Sequence, residues 1–237
     1  MTIKKLLIAN RGEIASRIIS SAHDMGISCV AIYTEADQDT PYVREADQAF
    51  KLSDSYLNSK EILDIAIKSN SDAIQPGYGF LSENAAFANQ VKKSNIKWVG
   101  PSANAIKKMG DKLTAKDIAI KANVPTLPMT SDPKKANSIG YPILVKAAAG
   151  GGGKGMRIVN KAKDLKESIK SAEREAEGGF GDKRVFLERY IARSRHIEIQ
   201  ILGDSYGNII HLGERECSIQ RRHQKVVEES PSPMVDD

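Results

Sequence analysis

Residues 141–158 read YPILVKAAAGGGGKGMRI: an apolar run, a lysine, three alanines, four glycines, a second lysine and a return to apolar residues. The two apolar runs have the length of β-strands, so the pattern predicts a strand–glycine–strand unit. Glycine loses more conformational freedom on folding than any other residue, so four together are costly unless the protein uses them. Consecutive glycines turn several backbone N–H groups toward one point, with no Cβ in the way of a phosphate. The stretch therefore predicts a flap over a polyphosphate, with Lys146 and Lys154 as cations.

Two common phosphate-binding motifs do not fit this stretch. Gly150, Gly152 and Gly155 give a formal G-x-G-x-x-G match, but residues 156–160 read as a strand where the dinucleotide fingerprint requires a helix. A P-loop requires Ser or Thr after its lysine, and Gly155 stands there. A β-hairpin flap over phosphates remains, with a surface loop of no function as the alternative.

The first hundred residues alternate strand-like and helix-like segments. Apolar runs predict strands at 4–10, 28–34, 72–76 and 97–100, and amphipathic patterns predict helices at 13–25, 59–69 and 83–94. Ser59 and Ser82 are the predicted N-caps of the last two helices. Repeated βα units with short apolar strands predict a Rossmann-like, doubly wound parallel sheet over residues 1–112.

The pattern changes in residues 113–237, where helices and hairpins mix. The predicted elements are a helix at 114–122, the strand–glycine–strand unit, a charged helix at 163–176, a strand at 184–190, and a hairpin at 195–201 and 207–214 around GDSYGN. We predict an α+β second domain over residues 113–237.

Composition limits the classes of partner. Hydrophobic residues make up 41% and charged residues 27%, as in ordinary globular proteins, and 35 basic against 30 acidic residues give a net charge of +5. The charges are interleaved, which argues against nucleic acid, and no apolar run is long enough to cross a bilayer. Cys29 and Cys217 fit no metal-binding spacing and are expected to be reduced. We expect a cytoplasmic protein, or a mitochondrial matrix protein if it is eukaryotic and has lost a transit peptide.

Two polar patterns lie in the second half of the chain. In RHIEIQI, residues 195–201, alternation places His196, Glu198 and Gln200 on one sheet face. ERECSIQRRHQKVVEE, residues 214–229, concentrates basic residues between acids, and Gln220, His223 and Lys225 together suit a small anion beside a phosphate. In each case, the alternative is a solvated face.

Six segments together resemble the biotin carboxylase component of biotin-dependent carboxylases, an ATP-grasp family. They are IANRGEIASRI (8–18), QPGYGFLSEN (75–84), MGDK (109–112), YPILVKAAAGGGGKGMR (141–157), RHIEIQ (195–200) and ERECSIQRRHQKVVEE (214–229). The resemblance implies a ligase that forms carboxyphosphate from ATP and bicarbonate and passes CO₂ to N1′ of biotin on a carrier.

The resemblance also implies roles for particular residues. Lys112 and Lys146 would contact the ATP phosphates, Lys225 would bind bicarbonate, and His223 would lie near the terminal phosphate. The remaining ATP-binding positions are the flap residues Gly151, Gly152 and Gly153, the adenine segment Glu188, Arg189 and Ile191, and the nucleotide-contacting His196 and Gln220.

The implied cofactors are ATP, Mg²⁺ (or Mn²⁺) and carrier-bound biotin. The implied partners are a biotin carboxyl carrier, a carboxyltransferase subunit and bicarbonate, in an oligomeric acyl-CoA carboxylase. The family's metal-binding glutamates and the base that deprotonates bicarbonate are expected beyond residue 237, so no metal ligand is assigned here. The resemblance thus implies an ATP-grasp domain that is incomplete at residue 237 and whose glycine-rich lid covers about residues 126–190.

Three other functions remain open. The chain could belong to another ATP-grasp ligase, such as a carbamoyl-phosphate synthetase, or be a non-catalytic fragment. A dinucleotide oxidoreductase is disfavoured, because the turn after the first strand, ANRGEIA, has a single glycine.

We predict that the 237-residue chain alone is catalytically inactive, because the expected metal-binding carboxylates are missing from it. The measurement is ADP release from the purified chain with ATP, bicarbonate and biotin. Release that depends on both bicarbonate and biotin would contradict the prediction.

Overall fold

The computed structural model describes residues 2–149, 155–221 and 224–235, with Phe180 described by its backbone alone. The chain divides into two compact units, Met1–Gly110 and Asp111–Asp237, with separate cores. The predicted flap residues Gly151, Gly152 and Gly153, and His223, lie outside the described residues. The domain limits derived from the sequence, 1–112 and 113–237, stay a prediction.

The first unit is built on a parallel sheet of five strands in the order β3-β2-β1-β4-β5. In chain order, its elements are β1 (Lys5–Ile8), α1 (Gly12–Asp24), β2 (Ser28–Tyr33), α2 (Pro41–Glu45), β3 (Gln48–Lys51), α3 (Ser59–Lys68), β4 (Ala73–Gln75), α4 (Ala85–Lys93), β5 (Lys97–Trp98) and α5 (Ala103–Gly110). This sheet confirms the predicted Rossmann-like arrangement.

Helices cover both faces of this sheet. Successive residues of a strand point to opposite sides, so neighbouring residues pack against different helices. In β1, Leu7 packs against α3 and α4, whereas Leu6 and Ile8 pack against α1. The strands are thus buried on both faces, which explains their apolar runs.

Two helix starts differ from those predicted. Asn58, not Ser59, caps α3, and its side-chain oxygen accepts from the Glu61 N–H at 3.2 Å. Ser82 lies in a 3₁₀ turn, Phe80–Glu83, and Asn84 caps α4 by accepting from the Phe87 N–H at 2.9 Å. Asparagine is as good an N-cap as serine, so propensity alone does not choose between them.

Asn10 and Gly77 fit closely together where β1 and β4 end. The buried Asn10 side-chain amide donates to the carbonyls of Pro76 at 2.7 Å and Tyr78 at 2.8 Å. Gly77 has φ +63°, and a Cβ there would lie 2.6 Å from Asn10 Nδ2. Glycine at 77 is required both for backbone conformation and for space.

The second unit contains two antiparallel sheets, ordered β6-β9-β7-β8 and β10-β11-β12. Its elements are α6 (Lys112–Lys121), β6 (Met129–Thr130), α7 (Ala136–Ile139), β7 (Ile143–Ala147), β8 (Arg157–Val159), α8 (Leu165–Phe180), β9 (Val185–Arg189), β10 (Ile197–Gly203), β11 (Ile209–Arg221) and β12 (Gln224–Glu229). The predicted hairpin is confirmed, since Gly203 pairs with Ile209 across the turn. Together with the first unit, this mixture of sheets and helices confirms the predicted fold class.

The sheet β10-β11-β12 carries many exposed apolar side chains, among them Ile199, Ile201, Ile209, Leu212 and Ile219. Apolar side chains are exposed on both faces of the hairpin, since Leu202 pairs with Ile210 on the face that carries Glu198. Across the described ranges, no helix combines the length and apolar character that crossing a membrane requires.

We predict that Phe87→Ala lowers the free energy of unfolding by about 3–5 kcal/mol, because Phe87 is fully buried and removing its ring leaves a cavity beside Trp98. The measurement is urea unfolding of the chain, followed through Trp98, the single tryptophan in the sequence. The matched control is Ile67→Ala, an exposed apolar residue on α3. Equal losses in the two variants would contradict the assigned core.

Candidate functional site

Strands β7 and β9 place a lysine and a glutamate on the same side of their sheet. Ile143, Val145 and Ala147 of β7 are buried, so alternation turns Lys146 to the opposite face. In the register, Lys146 pairs with Phe186 and Leu144 pairs with Glu188. Lys146 and Glu188 therefore meet diagonally across neighbouring strands.

Glu188 forms ion pairs with two lysines. Lys146 Nζ lies 2.5 Å from Glu188 Oε2, and Lys116, from α6, binds Oε1. The Glu188 side chain is only 10% exposed, that of Lys116 12% and that of Lys146 26%. Burial raises the pKa of the Glu188 carboxyl, but the hydrogen bonds from the lysines outweigh burial and leave the pKa below its usual value. The carboxylate is thus held ionised between two cations.

Lys112, the first residue of α6, lies at the start of the glycine-rich stretch. Its Nζ donates to the carbonyls of Ala147 at 3.2 Å and Ala149 at 3.3 Å, and its backbone N–H donates to Ala148 at 3.1 Å. Asp111 caps the helix by accepting from the Thr114 N–H at 2.8 Å. These contacts place the Lys112 ammonium beside the backbone that leads into the predicted flap.

Arg189 lies on the other face of β9 and is not brought to the Glu188 ion pairs. Its guanidinium donates to the carbonyl of Tyr141 at 3.0 Å and contacts that of Ile139 at 3.5 Å. Its backbone N–H donates to Pro128 at 3.0 Å. The side chain of Arg189 therefore joins the turn before β7 to the sheet.

A cavity of about 650 Å³ opens beside Lys146. The residues that line it include Leu144, Lys146, Ile158, Ile191, Arg193 and His196. The structure thus brings together three residues that the sequence assigned to nucleotide binding, Lys146, Ile191 and His196. Apolar walls with several basic groups suit a ligand that has a flat apolar part and an anionic part.

A second ionic cluster lies on one face of β10-β11-β12, with Glu198 at its centre. Lys225 Nζ donates to Glu198 Oε2 at 2.6 Å, and Arg215 Nε donates to Oε1 at 2.8 Å. The hydrogen bond from Lys225, with that from Arg215, lowers the pKa of Glu198 against the effect of burial. The same contact with Glu198 raises the pKa of Lys225, which therefore stays protonated.

His196 and Gln220 contact each other at the edge of this cluster. Gln220 Nε2 lies 3.0 Å from His196 Nδ1 and donates to the Cys217 carbonyl at 2.9 Å. Three of the predicted residues, His196, Gln220 and Lys225, are therefore close to Glu198 or to one another. His223 falls in the gap at residues 222–223.

Two groups of possible metal ligands occur within the described ranges, His23, Cys29 and Asp47, and Glu198, Cys217 and Glu228. Burial raises the pKa of the Cys29 thiol to about 11, so the thiolate that a metal needs is disfavoured. The oxygens of Glu198 already accept from Arg215 and Lys225. Neither group fits a metal well.

Sequence reasoning missed Lys116, Glu198 and Arg215 as members of these clusters. Lys116 follows Lys112 by four residues on a helix, so the spacing places both on one face. No neighbouring residue in the sequence indicates that its ion-pair partner is Glu188. Strand alternation predicts that Glu198 shares a face with His196. It does not predict the ion pairs of Glu198, because their partners, Arg215 and Lys225, lie on other strands.

Two family models together match nearly the whole chain. "Biotin carboxylase, N-terminal domain" matches residues 2–106, and "Carbamoyl-phosphate synthase L chain, ATP binding domain" matches residues 111–237. Biotin carboxylase 1 of Bacillus subtilis is 51% identical over 247 residues, which cover 99% of this chain and 55% of that protein. The mitochondrial methylcrotonoyl-CoA carboxylase subunit alpha of Dictyostelium discoideum is 48% identical over 99% of this chain and 36% of its own length.

Solved structures show the same similarity. A biotin carboxylase from Campylobacter jejuni, described as a beta-gamma-ATP complex, has a TM-score of 0.96 and 48% identity, covering 100% of this chain and 56% of that one. The biotin carboxylase domain of a Hydrogenobacter thermophilus 2-oxoglutarate carboxylase, in complex with MgADP, ADP and bicarbonate, has a TM-score of 0.95 and 44% identity, covering 100% of this chain and 55% of that one. The chain spans about a third to a half of the length of these relatives.

We predict that Glu198→Gln lowers the free energy of unfolding by about 1 kcal/mol near pH 7, because it removes the charge that Lys225 and Arg215 share. The folded pKa of Glu198 is lowered, so its contribution is complete above the ordinary value of 4.5 and disappears as the pH falls through the folded value. The measurement is urea unfolding of both proteins at pH 7 and at about pH 3.

The matched control is Glu229→Gln, an exposed glutamate on β12. It should change stability little at either pH. A loss for Glu198→Gln that is as large at low pH as at neutral pH would show that the charge is not responsible.

Proposed function

Since the chain belongs to the biotin carboxylase family, we propose that the complete protein carrying it uses ATP and bicarbonate to carboxylate biotin on a carrier. The observation that carries the proposal is the position of two lysines at the start of the glycine run. Lys146 lines the cavity, and Lys112 holds the backbone of Ala147 and Ala149. Phosphoryl transfer requires such positioning and charge neutralisation.

The cavity accounts for nucleotide binding in this proposal. The adenine would lie against Ile191 and the backbone around Glu188, and the phosphates would meet Lys146 and Lys112. His196 and Gln220 would contact the nucleotide from β10 and β11. The flap residues Gly151, Gly152 and Gly153 would close over the phosphates and exclude water. The Arg189 side chain has a structural part, since backbone carbonyls hold its guanidinium.

The reaction itself would take place in two stages. A bicarbonate oxygen attacks the γ-phosphorus of ATP, so that ADP leaves and carboxyphosphate forms. Carboxyphosphate then breaks into phosphate and CO₂, the released phosphate takes the N1′ proton of biotin, and the resulting N1′ anion attacks the CO₂. Lys225 would hold bicarbonate and balance the negative charge of the intermediate. His223 would lie near the terminal phosphate.

Mg²⁺, or Mn²⁺, would supply further charge neutralisation for the phosphates when bound. Its ligands are proposed to lie outside this chain. The complete protein would act with a carrier and a carboxyltransferase subunit in an oligomeric acyl-CoA carboxylase. We propose a cytoplasmic location, or the mitochondrial matrix, because the names of several relatives include the word mitochondrial.

A second candidate is a ligase of the carbamoyl-phosphate synthetase type, because the model that matches residues 111–237 bears that name. Both candidates use ATP and bicarbonate, but only the first requires biotin. Biotin dependence of ATP turnover separates them.

We predict that Lys225→Met in the complete protein lowers biotin-dependent turnover about 100-fold or more, because it removes the charge that stabilises the intermediate. Lys146→Met should mainly raise KM for ATP. The measurement is transfer of labelled bicarbonate to biotin, with phosphate release followed in parallel.

The matched control is Lys121→Met, an exposed lysine at the end of α6, which should leave turnover unchanged. ATP turnover that does not depend on biotin would favour the second candidate. No transfer of label and no ATP turnover by the unmodified protein would refute both.

A further inference from the structure

Lys116 lies among the predicted nucleotide-binding residues, although no recognised motif contains it. It stands one helical turn after Lys112 on α6, and its ammonium binds Glu188 Oε1. We propose that Lys116 is a positioning residue that neutralises Glu188, so that Lys146 offers its positive charge to the nucleotide phosphates. The inference rests on the proposed function.

The need for a second cation follows from the charges. Lys146 carries one positive charge and lies 2.5 Å from Glu188, whose carboxylate would cancel that charge for any approaching anion. Two lysines with one carboxylate leave a net charge of +1, whereas Lys146 with Glu188 alone leaves zero. In a partly buried site, such a difference is screened less over a few ångströms than it would be in water.

The geometry gives the two lysines different tasks. Each takes a different oxygen of Glu188, so neither displaces the other. Lys116 is 12% exposed, whereas Lys146 is 26% exposed and forms part of the cavity wall. Lys116 therefore occupies the inner side of Glu188, and Lys146 occupies the side that a ligand reaches.

Among the described residues, removing Lys116 would also leave Lys146 alone as the cation paired with a carboxylate that is 10% exposed. A buried carboxylate that has lost one of its two positively charged partners interacts more strongly with the one that remains. Lys146 would then have to weaken that contact in order to bind a phosphate. Both effects, the lost net charge and the tighter Glu188 contact, act against ligands that carry phosphates and leave a neutral ligand unaffected.

A purely structural role for Lys116 predicts a different result. None of the residues of α6 is fully buried, so its lysine contacts also hold the helix against the sheet. A loosened helix would weaken binding of every ligand in the cavity, charged or neutral. The ratio of ATP affinity to adenosine affinity therefore separates the two roles.

The experiment measures Kd for ATP and for adenosine by calorimetry on the complete protein. For Lys116→Met, we expect Kd for ATP to rise about tenfold, which corresponds to about 1.4 kcal/mol, and Kd for adenosine to change less than twofold. Lys116→Arg keeps the charge and should bind ATP nearly as the unmodified protein does. Lys121→Met is the matched control on the same helix and should change neither Kd.

A double variant keeps the test decisive if Lys116→Met does not fold. Combining Lys116→Met with Glu188→Gln again leaves a net charge of +1 on Lys146, with no buried carboxylate, so ATP affinity should return to within about twofold of its normal value.

Unchanged ATP affinity in Lys116→Met, equal losses for ATP and adenosine, or failure of the double variant to recover would each overturn the inference. An unmodified protein that binds no ATP would instead refute the proposed function, and this inference with it.

Discussion

The carboxylate of Glu188, held between Lys116 and Lys146, is the contact on which the rest of the site depends. It joins a helix to two strands that are far apart in sequence, and it does so with charges that are mostly withdrawn from water. Charges in such surroundings are stable only when they are paired, so the position of each group limits the positions of the others. The cavity wall takes its shape and its charge from this arrangement.

The two ionic clusters of the second unit share one design. In each, a glutamate accepts from two basic side chains, Lys116 and Lys146 around Glu188, and Arg215 and Lys225 around Glu198. The cluster around Glu188 keeps an excess of positive charge. In the second cluster, Glu228 also lies 3.8 Å from Arg215 and 3.6 Å from Lys225, so two carboxylates balance two cations. In both clusters the charged groups are held in place before any ligand arrives. Preorganised cations need little rearrangement when negative charge develops nearby, which is the main source of electrostatic catalysis.

Helices and strands could be predicted from the sequence where their hydrophobic pattern reflects which side chains are buried. The runs around Leu7, Val30 and Ile74 are apolar because both faces of their strands are covered, and the alternation of RHIEIQI is visible in the paired hairpin. Short elements without such a pattern, α2, β3 and the two-residue β6, were not predicted, because three-dimensional neighbours rather than their own residues determine them. The same reason hid Lys116, since its partner lies 72 residues away. Lys146 could be predicted as a site residue from the sequence, because it lies next to the glycine stretch whose composition indicates phosphate binding.

The fit between Asn10 and Gly77 has a consequence for how such a chain can diverge. The amide at position 10 occupies the space that any side chain at position 77 would need, and it binds the carbonyls on both sides of that glycine. A substitution at either position alone leaves a steric conflict or unsatisfied carbonyls. Because the φ of +63° requires glycine at position 77 whatever stands at position 10, we expect homologues to keep this glycine even where the asparagine is replaced.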